Sequence, residues 1–96
     1  MEKKNKSILQ KGKYCFICGS EHDLELHHVY FGTGLRKISD KNGFVMYLCR
    51  DHHKGDESPH MKRGIDLQFK RMCQSRYEQK HTREEFMQLI GRNYLE

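Results

Sequence analysis

The pairing of Cys15-Phe16-Ile17-Cys18 with Cys49-Arg50-Asp51-His52 constrains this chain more than any other feature. Two thiols spaced by two residues, answered far downstream by a Cys-x-x-His, make a four-ligand set for a tetrahedral zinc ion. The chain must then fold back to bring residue 49 against residue 15. At 96 residues, 35% of them hydrophobic, and a mean hydropathy of −0.96, a hydrophobic core alone leaves a thin margin. A structural metal compensates, because its binding free energy becomes folding free energy.

The four cysteines also allow two disulfides in a secreted chain. Against that, the basic stretch Met1–Lys6 leads only into Ser7-Ile8-Leu9-Gln10, too short for the apolar region of a signal peptide. No stretch approaches a membrane span. Cys-x-x-Cys suits a redox pair too, but the strand-then-helix flanks of a thioredoxin-like site are missing. Metal ligation is therefore the expectation, with Gly19 permitting the tight turn that aims backbone amides at the thiolates.

Residues 1–13 are polar and lysine-rich, and read as a mobile tail or, alternatively, as a basic arm touching phosphates. Residues 14–96 are expected to form a single domain. Leu24–Tyr30 alternates as a strand, with Leu24 and Leu26 on one face, until Phe31-Gly32-Thr33-Gly34 breaks it. A loop carrying Arg36, Lys37 and Lys41 follows, and Asn42-Gly43 turns the chain into a second run in which Phe44, Met46 and Leu48 share a face. The two runs predict a hairpin. Ser58-Pro59 reads as a helix start, and Ile65, Phe69, Met72, Cys73 and Tyr77 recur at helical spacing, predicting a helix over 65–79. Thr82-Arg83-Glu84-Glu85 is a capping box opening a last helix that Gly91 closes. The fold class is α+β: a small zinc-stabilised domain with a β-hairpin followed by two helices.

His27, His28, His53 and His60 are left over once the zinc set is complete. Successive side chains of a strand point to opposite faces, so His27 and His28 serve one site only if the strand bends there or one acts across a water. His22 is expected to be exposed, His81 to meet the end of a helix dipole, and Cys73 to be a small buried hydrophobe. A net charge of +5 and a pI of 9.1 favour a polyanionic partner. The 36–41 loop reads equally as solvated or as facing DNA, whereas Lys62, Arg63, Lys70, Arg71 and Arg76 make a basic surface whose default reading is a solvated helix face, a DNA-facing surface being the alternative on a nuclease scaffold.

Cys-x-x-Cys, then His-His on a strand, then Leu48-Cys49-x-x-His52-His53 leading into a helix, resembles the HNH (ββα-metal) endonucleases on a treble-clef zinc scaffold. The likeness is to small phage-encoded HNH proteins and to the RecA-dependent Ref nuclease group, and it covers roughly residues 14–77. It implies a metal-dependent DNA endonuclease acting in phage DNA recombination or processing, within a bacterial host cytoplasm, with DNA and a recombination protein as partners and no membrane. Under the resemblance Cys15, Cys18, Cys49 and His52 hold the structural zinc. His28 matches the general base, and His27, His53 and His60 hold a catalytic divalent metal: Mg²⁺, Mn²⁺, Ni²⁺ or Zn²⁺. The basic residues Arg36, Lys37, Lys41, Lys62 and Arg63 would contact DNA. The middle Asn of the family pattern has no direct counterpart, since Phe44 stands near its usual place; Asn42 and Asp40 are equal candidates for the orienting role. The alternative from another class is a zinc-stabilised module that binds nucleic acid or protein without catalysis.

Overall fold

The two apolar runs form strands β1 (Leu24–His28) and β2 (Val45–Cys49), an antiparallel pair, in the computed structural model of the chain, which describes residues 7–95. The register sets Leu24 against Cys49, Leu26 against Tyr47, His27 against Met46 and His28 against Val45. With a side-chain period of two, Glu25 and His27 share a face with Met46 and Leu48, and Leu26 and His28 share the other with Tyr47. Met46 and Leu48 are fully buried, whereas Leu26 and Tyr47 are only partly covered. The core face of β1 is thus the one bearing a carboxylate and an imidazole.

The expected loop between the strands is a helix, α1 (Leu35–Asn42). Its apolar stripe is only Leu35 and Ile38, packed on the core, too little for a periodic signal. The Asn42-Gly43 pair, read as a turn, is the end of that helix: Gly43 adopts a left-handed φ of 79° and its amide bonds the Ser39 carbonyl. A one-turn helix α2 (Arg50–Lys54) follows β2 directly. Gly55 ends it at a place where any Cβ would collide with the Asp51 carbonyl oxygen.

Ser58-Pro59 does not start the long helix. The Ser58 carbonyl accepts from the amides of Met61 and Lys62 (3.1 and 2.8 Å), closing one turn that Lys62, in extended conformation, does not propagate. Helix α3 therefore spans Arg63–Tyr77, starting two residues earlier and ending two earlier than the periodicity suggests. Helix α4 (Arg83–Ile90) has its reciprocal capping box between Thr82 and Glu85, and Gly91 closes it at φ 83°. Between hairpin and helices, Tyr30, Phe44 and Phe86 meet edge-on or tilted, with centroids 5.4, 5.5 and 6.2 Å apart. The buried Tyr30 hydroxyl donates to the Lys70 carbonyl at 2.6 Å.

The segment read as a mobile tail is held down from Ser7 onward; residues 1–6 lie outside the described residues. In a two-stranded sheet β2 keeps an open edge whose polar groups need partners. Gln10 Oε1 accepts from the Tyr47 amide at 2.7 Å, the Phe16 amide donates to the Tyr47 carbonyl at 2.9 Å and Ser7 Oγ donates to the Val45 carbonyl. The Gln10 side-chain amide ties the segment to the Tyr14 carbonyl at 2.7 Å, and the Ile8 amide donates to the Gly43 carbonyl. Gln10→Ala is expected to lower stability in urea denaturation by about 1–3 kcal/mol, since it strands the partly buried Tyr47 amide. Lys11→Ala, one residue on and exposed, should leave the midpoint unchanged.

Candidate metal sites and the histidine cleft

Cys15 and Cys18 lie on one tight turn, closed by the Gly19 amide bonding the Cys15 carbonyl at 2.8 Å, with Gly19 at φ 82°. Cys49 ends β2 and caps α2, and His52 lies one helical turn further on the same side. These elements bring Cys18 Sγ to 3.8 Å from Cys49 Sγ, and His52 Nδ1 to 3.3 Å from Cys49 Sγ and 3.7 Å from Cys15 Sγ. The four ligand atoms all lie within 4.8 Å of one another, so this Cys₃His set can hold a metal ion. Burial would push the Cys15 thiol up, but the backbone amides of Cys49, Cys18 and Ile17 outweigh it and hold the group at about 6. At Cys49 the His52 amide favours the thiolate, yet burial and the neighbouring Cys15 and Cys18 sulfurs raise the thiol overall. Thiol sulfurs gathered at this spacing can all ionise together only with a cation among them. The described cysteines are all free, and Cys73 sits apart, buried in α3 with its thiol pushed up to about 12 by burial.

Adjacent positions on a helix point about 100° apart, so His53 leaves the cysteine set and faces β1. There its ring lies 5.3 Å from that of His27 and 5.1 Å from that of His60, while His27 and His60 are also 5.1 Å apart. Their ligand atoms form a second group within 4.8 Å. His27 is fully buried and neither ring nitrogen has a hydrogen-bond partner. Burial first, and then His53, His60, His28 and Lys70, hold it down to about 3, so it is a neutral imidazole. Burial and His53 lower His60 in the same direction. His53 Nδ1 donates to Glu25 Oε1 at 2.7 Å, a bond that is also the main cause holding the Glu25 carboxyl below its usual range. A buried, neutral histidine with two unpartnered nitrogens, meeting two more imidazoles, is a donor set that fits a cation.

His28 closes β1 on the opposite face from His27, yet both border one cleft of about 240 Å³, together with His53, His60, Phe31 and Arg36, because the strand ends there and the cleft wraps its tip. His28 Nε2 lies 3.2 Å from Asp40 Oδ1. Asn42 does not reach this place: its amide donates to the Ile38 carbonyl at 2.9 Å and borders a separate groove beside Ile8, Arg76 and Tyr77. Helix α1 sets Arg36 and Asp40 one turn apart, Arg36 bordering the cleft and Asp40 beside His28, whereas Asn42 lies away from both.

Lys37, Lys41, Lys62 and Arg63 are exposed outside the cleft, and Lys62 pairs with Glu57 at 3.5 Å. Lys70, expected on the basic surface, is buried: its Nζ bonds Asp66 Oδ2 at 2.6 Å and lies 4.2 Å from the centre of the Phe31 ring. His22 and His81 are exposed, the latter stacked on Tyr77 at 4.1 Å. Glu25 is the site residue that motif reading missed. Its signal was available, two positions before His27 on the same strand face.

No protein-family model, curated protein or solved structure matches this chain. Among the described residues, no helix is long and apolar enough to cross a membrane.

Proposed function

We propose that the chain is a metal-dependent DNA endonuclease of the HNH type, on a zinc-stabilised ββα-metal (treble-clef) domain. One observation carries the reading: a complete Cys₃His set lies on one side of α2, and three further histidines converge on the other, with His28 and Asp40 beside them. A purely structural metal gives no reason for the second group. Zinc suits the first: thiolates at ~2.3 Å from a shared ion stand about 3.8 Å apart in a tetrahedron, close to the Cys18–Cys49 spacing of 3.8 Å.

In this reading His28 is the general base. A carboxylate at Asp40 accepts the Nε2 proton of His28, which leaves Nδ1 as the lone-pair nitrogen that takes a proton from the attacking water. Asp40 then offsets the charge of the imidazolium. Glu25 holds the His53 ring in one tautomer and orientation. His27, His53 and His60 would hold a divalent cation, whose charge offsets that developing on the phosphate and the leaving oxygen. A neutral all-imidazole set favours Mn²⁺, Ni²⁺ or Zn²⁺ over Mg²⁺. Arg36 at the cleft is placed to pair with phosphate oxygens, and Lys37 and Lys41 along α1, with Lys62 and Arg63, would follow the flanking backbone. A role in phage DNA recombination, with a recombination protein as partner, follows from the family likeness alone.

The test is plasmid nicking by purified protein with Mg²⁺, Mn²⁺ and Ni²⁺ compared. Nicking with Mn²⁺ or Ni²⁺ that is abolished by chelation is the expected result. Folded, zinc-loaded protein that binds DNA but nicks with none of the three would instead be a binding module. DNA affinity should fall on the order of tenfold or more between 50 and 200 mM salt, and Arg36→Ala, Lys37→Ala and Lys41→Ala should each reduce the salt slope by about one. Affinity indifferent to salt would argue for a protein partner.

A further inference from the structure

Of the large hydrophobic side chains exposed among the described residues, Tyr14, Ile17, Phe31 and Met61, only Phe31 borders the histidine cleft. A lone exposed apolar side chain is ordinary on a protein surface, but this ring, in a residue 38% exposed, is fixed in place. Lys70 Nζ stands over it, 4.2 Å from the ring centre, and that ammonium is held by Asp66 Oδ2 at 2.6 Å on a side chain only 10% exposed. The backbone leading into Phe31 is clamped at the fully buried Tyr30. The Tyr30 carbonyl accepts from Ser39 Oγ at 2.7 Å, its amide donates to the same oxygen at 3.2 Å, and its hydroxyl donates to the Lys70 carbonyl at 2.6 Å. Beyond Phe31, the Leu35 amide bonds the Gly32 carbonyl at 3.2 Å, with Gly32 and Gly34 at φ 105° and 81°. That turn brings Arg36 back to the cleft that Phe31 borders. The ring is thus a flat surface at the cleft whose orientation is set before any ligand arrives.

We infer that Phe31 is a specificity-determining residue whose ring stacks on an unpaired nucleobase next to the phosphate in the histidine cleft, so that single-stranded or locally unpaired DNA is preferred to intact duplex. The inference rests on the nuclease reading above and names its substrate class. Arg36 offers a cation to phosphate oxygens. Phe31 offers what a phosphate contact lacks, a face for the base. In an intact duplex each base is covered by its neighbours, and a side-chain ring reaches it only where the nucleotide is unpaired or turned out of the stack. A ring already fixed by Lys70 and by the clamp at Tyr30 loses little freedom on stacking, so more of the contact appears as affinity. Covering Lys70 from water, by contrast, asks only for an apolar side chain of similar size, which leucine would supply.

The experiment titrates zinc-loaded protein, with no other divalent cation added so that nothing is cut, with oligo(dT) and with a fully paired duplex. The chain contains no tryptophan, so Phe31→Trp carries a single indole whose emission is quenched when a base stacks on it. Oligo(dT) at saturation should quench that emission, and the duplex should not. By anisotropy of labelled DNA, Phe31→Ala and Phe31→Leu should bind oligo(dT) about 5–150-fold more weakly than the natural chain, the loss of one stacked base, with duplex affinity unchanged. Phe31→Tyr, which keeps an aromatic face, should bind as the natural chain does. Oligo(dT) bound equally well by the natural chain and Phe31→Leu, or an indole quenched by neither DNA or by both alike, would overturn the inference while leaving the nuclease reading intact. Selective quenching by oligo(dT) in a protein that nicks nothing would uphold the stacked base and remove the nuclease reading instead. A natural chain that binds neither DNA would remove both.

Discussion

Cys49→Ser is expected to unfold the chain rather than merely weaken it. Cys49 is the last residue of β2, the cap of α2 and a member of the Cys₃His set, so one sulfur joins the hairpin, the one-turn helix and the Cys15–Cys18 turn. None of these is stable alone: an isolated hairpin is marginal in water, and a five-residue helix is far below the length that sustains itself. Structural zinc in small domains contributes roughly 10–16 kcal/mol, against a total stability of about 5–15 kcal/mol for an ordinary domain. If the Cys₃His set holds zinc as proposed, loss of the ion would exceed what the core can supply. The purified chain should carry one tightly bound zinc, and a strong chelator under reducing conditions should abolish its cooperative thermal transition. Cys73→Ser is the control, because that thiol is buried away from the set; zinc content should stay at one equivalent, with a stability loss of about 1–3 kcal/mol for burying a hydroxyl. A reduced, folded protein containing no zinc would end this account.

What the sequence made legible was local in the chain. Cys15 with Cys18, Cys49 with His52 and Thr82 with Glu85 are each spaced by a single turn, and short spacing fixes geometry whatever the surroundings. The hairpin was legible for a similar reason, since two apolar runs of strand length bounded by glycines have few other ways to be buried. The grouping of His27, His53 and His60 could be suspected from their being surplus to the Cys₃His set, but their meeting depends on α2 dividing His52 from His53 between two faces.

The features that stayed hidden depend on contacts across the fold. Helix α1 is eight residues long with only Leu35 and Ile38 apolar, so it reads as a loop, and without the helix the placing of Asp40 beside His28, with Asn42 turned back onto Ile38, has no signal. Gln10 looks like any polar tail residue until the Tyr47 amide on the open edge of β2 is known to need an acceptor there. Lys70 follows the basic pattern of its helix, and it is the Asp66 carboxylate with the Phe31 and Tyr94 rings beside it that make burial tolerable. In each case a polar side chain answers a demand set elsewhere in the chain, which periodicity cannot register.

His28→Ala should remove nicking while leaving zinc content, melting temperature and DNA binding close to those of the natural chain. The side chain is 14% exposed and its ring bonds Asp40, which is 64% exposed, so among the described residues truncation opens the cleft side of β1 and leaves no buried partner stranded. A general base contributes about 10²–10⁴-fold in rate, well within the range of a nicking assay. Added cation distinguishes this loss from another. His53→Ala should also abolish activity, but by removing one of the imidazoles of the second group, so excess Mn²⁺ should restore part of it. His28→Ala should show no such recovery, because more cation does not replace a proton acceptor. Asp40→Ala should fall between them, slower than the natural chain but active, since the exposed carboxylate only orients and stabilises the imidazole that carries the proton. If His28 were instead a core residue, its truncation would cost about 1–3 kcal/mol of stability, and activity would fall only in step with the folded fraction. Melting temperature and nicking rate measured on the same preparation separate the two, and full activity in a folded His28→Ala chain would take the base assignment away from this residue.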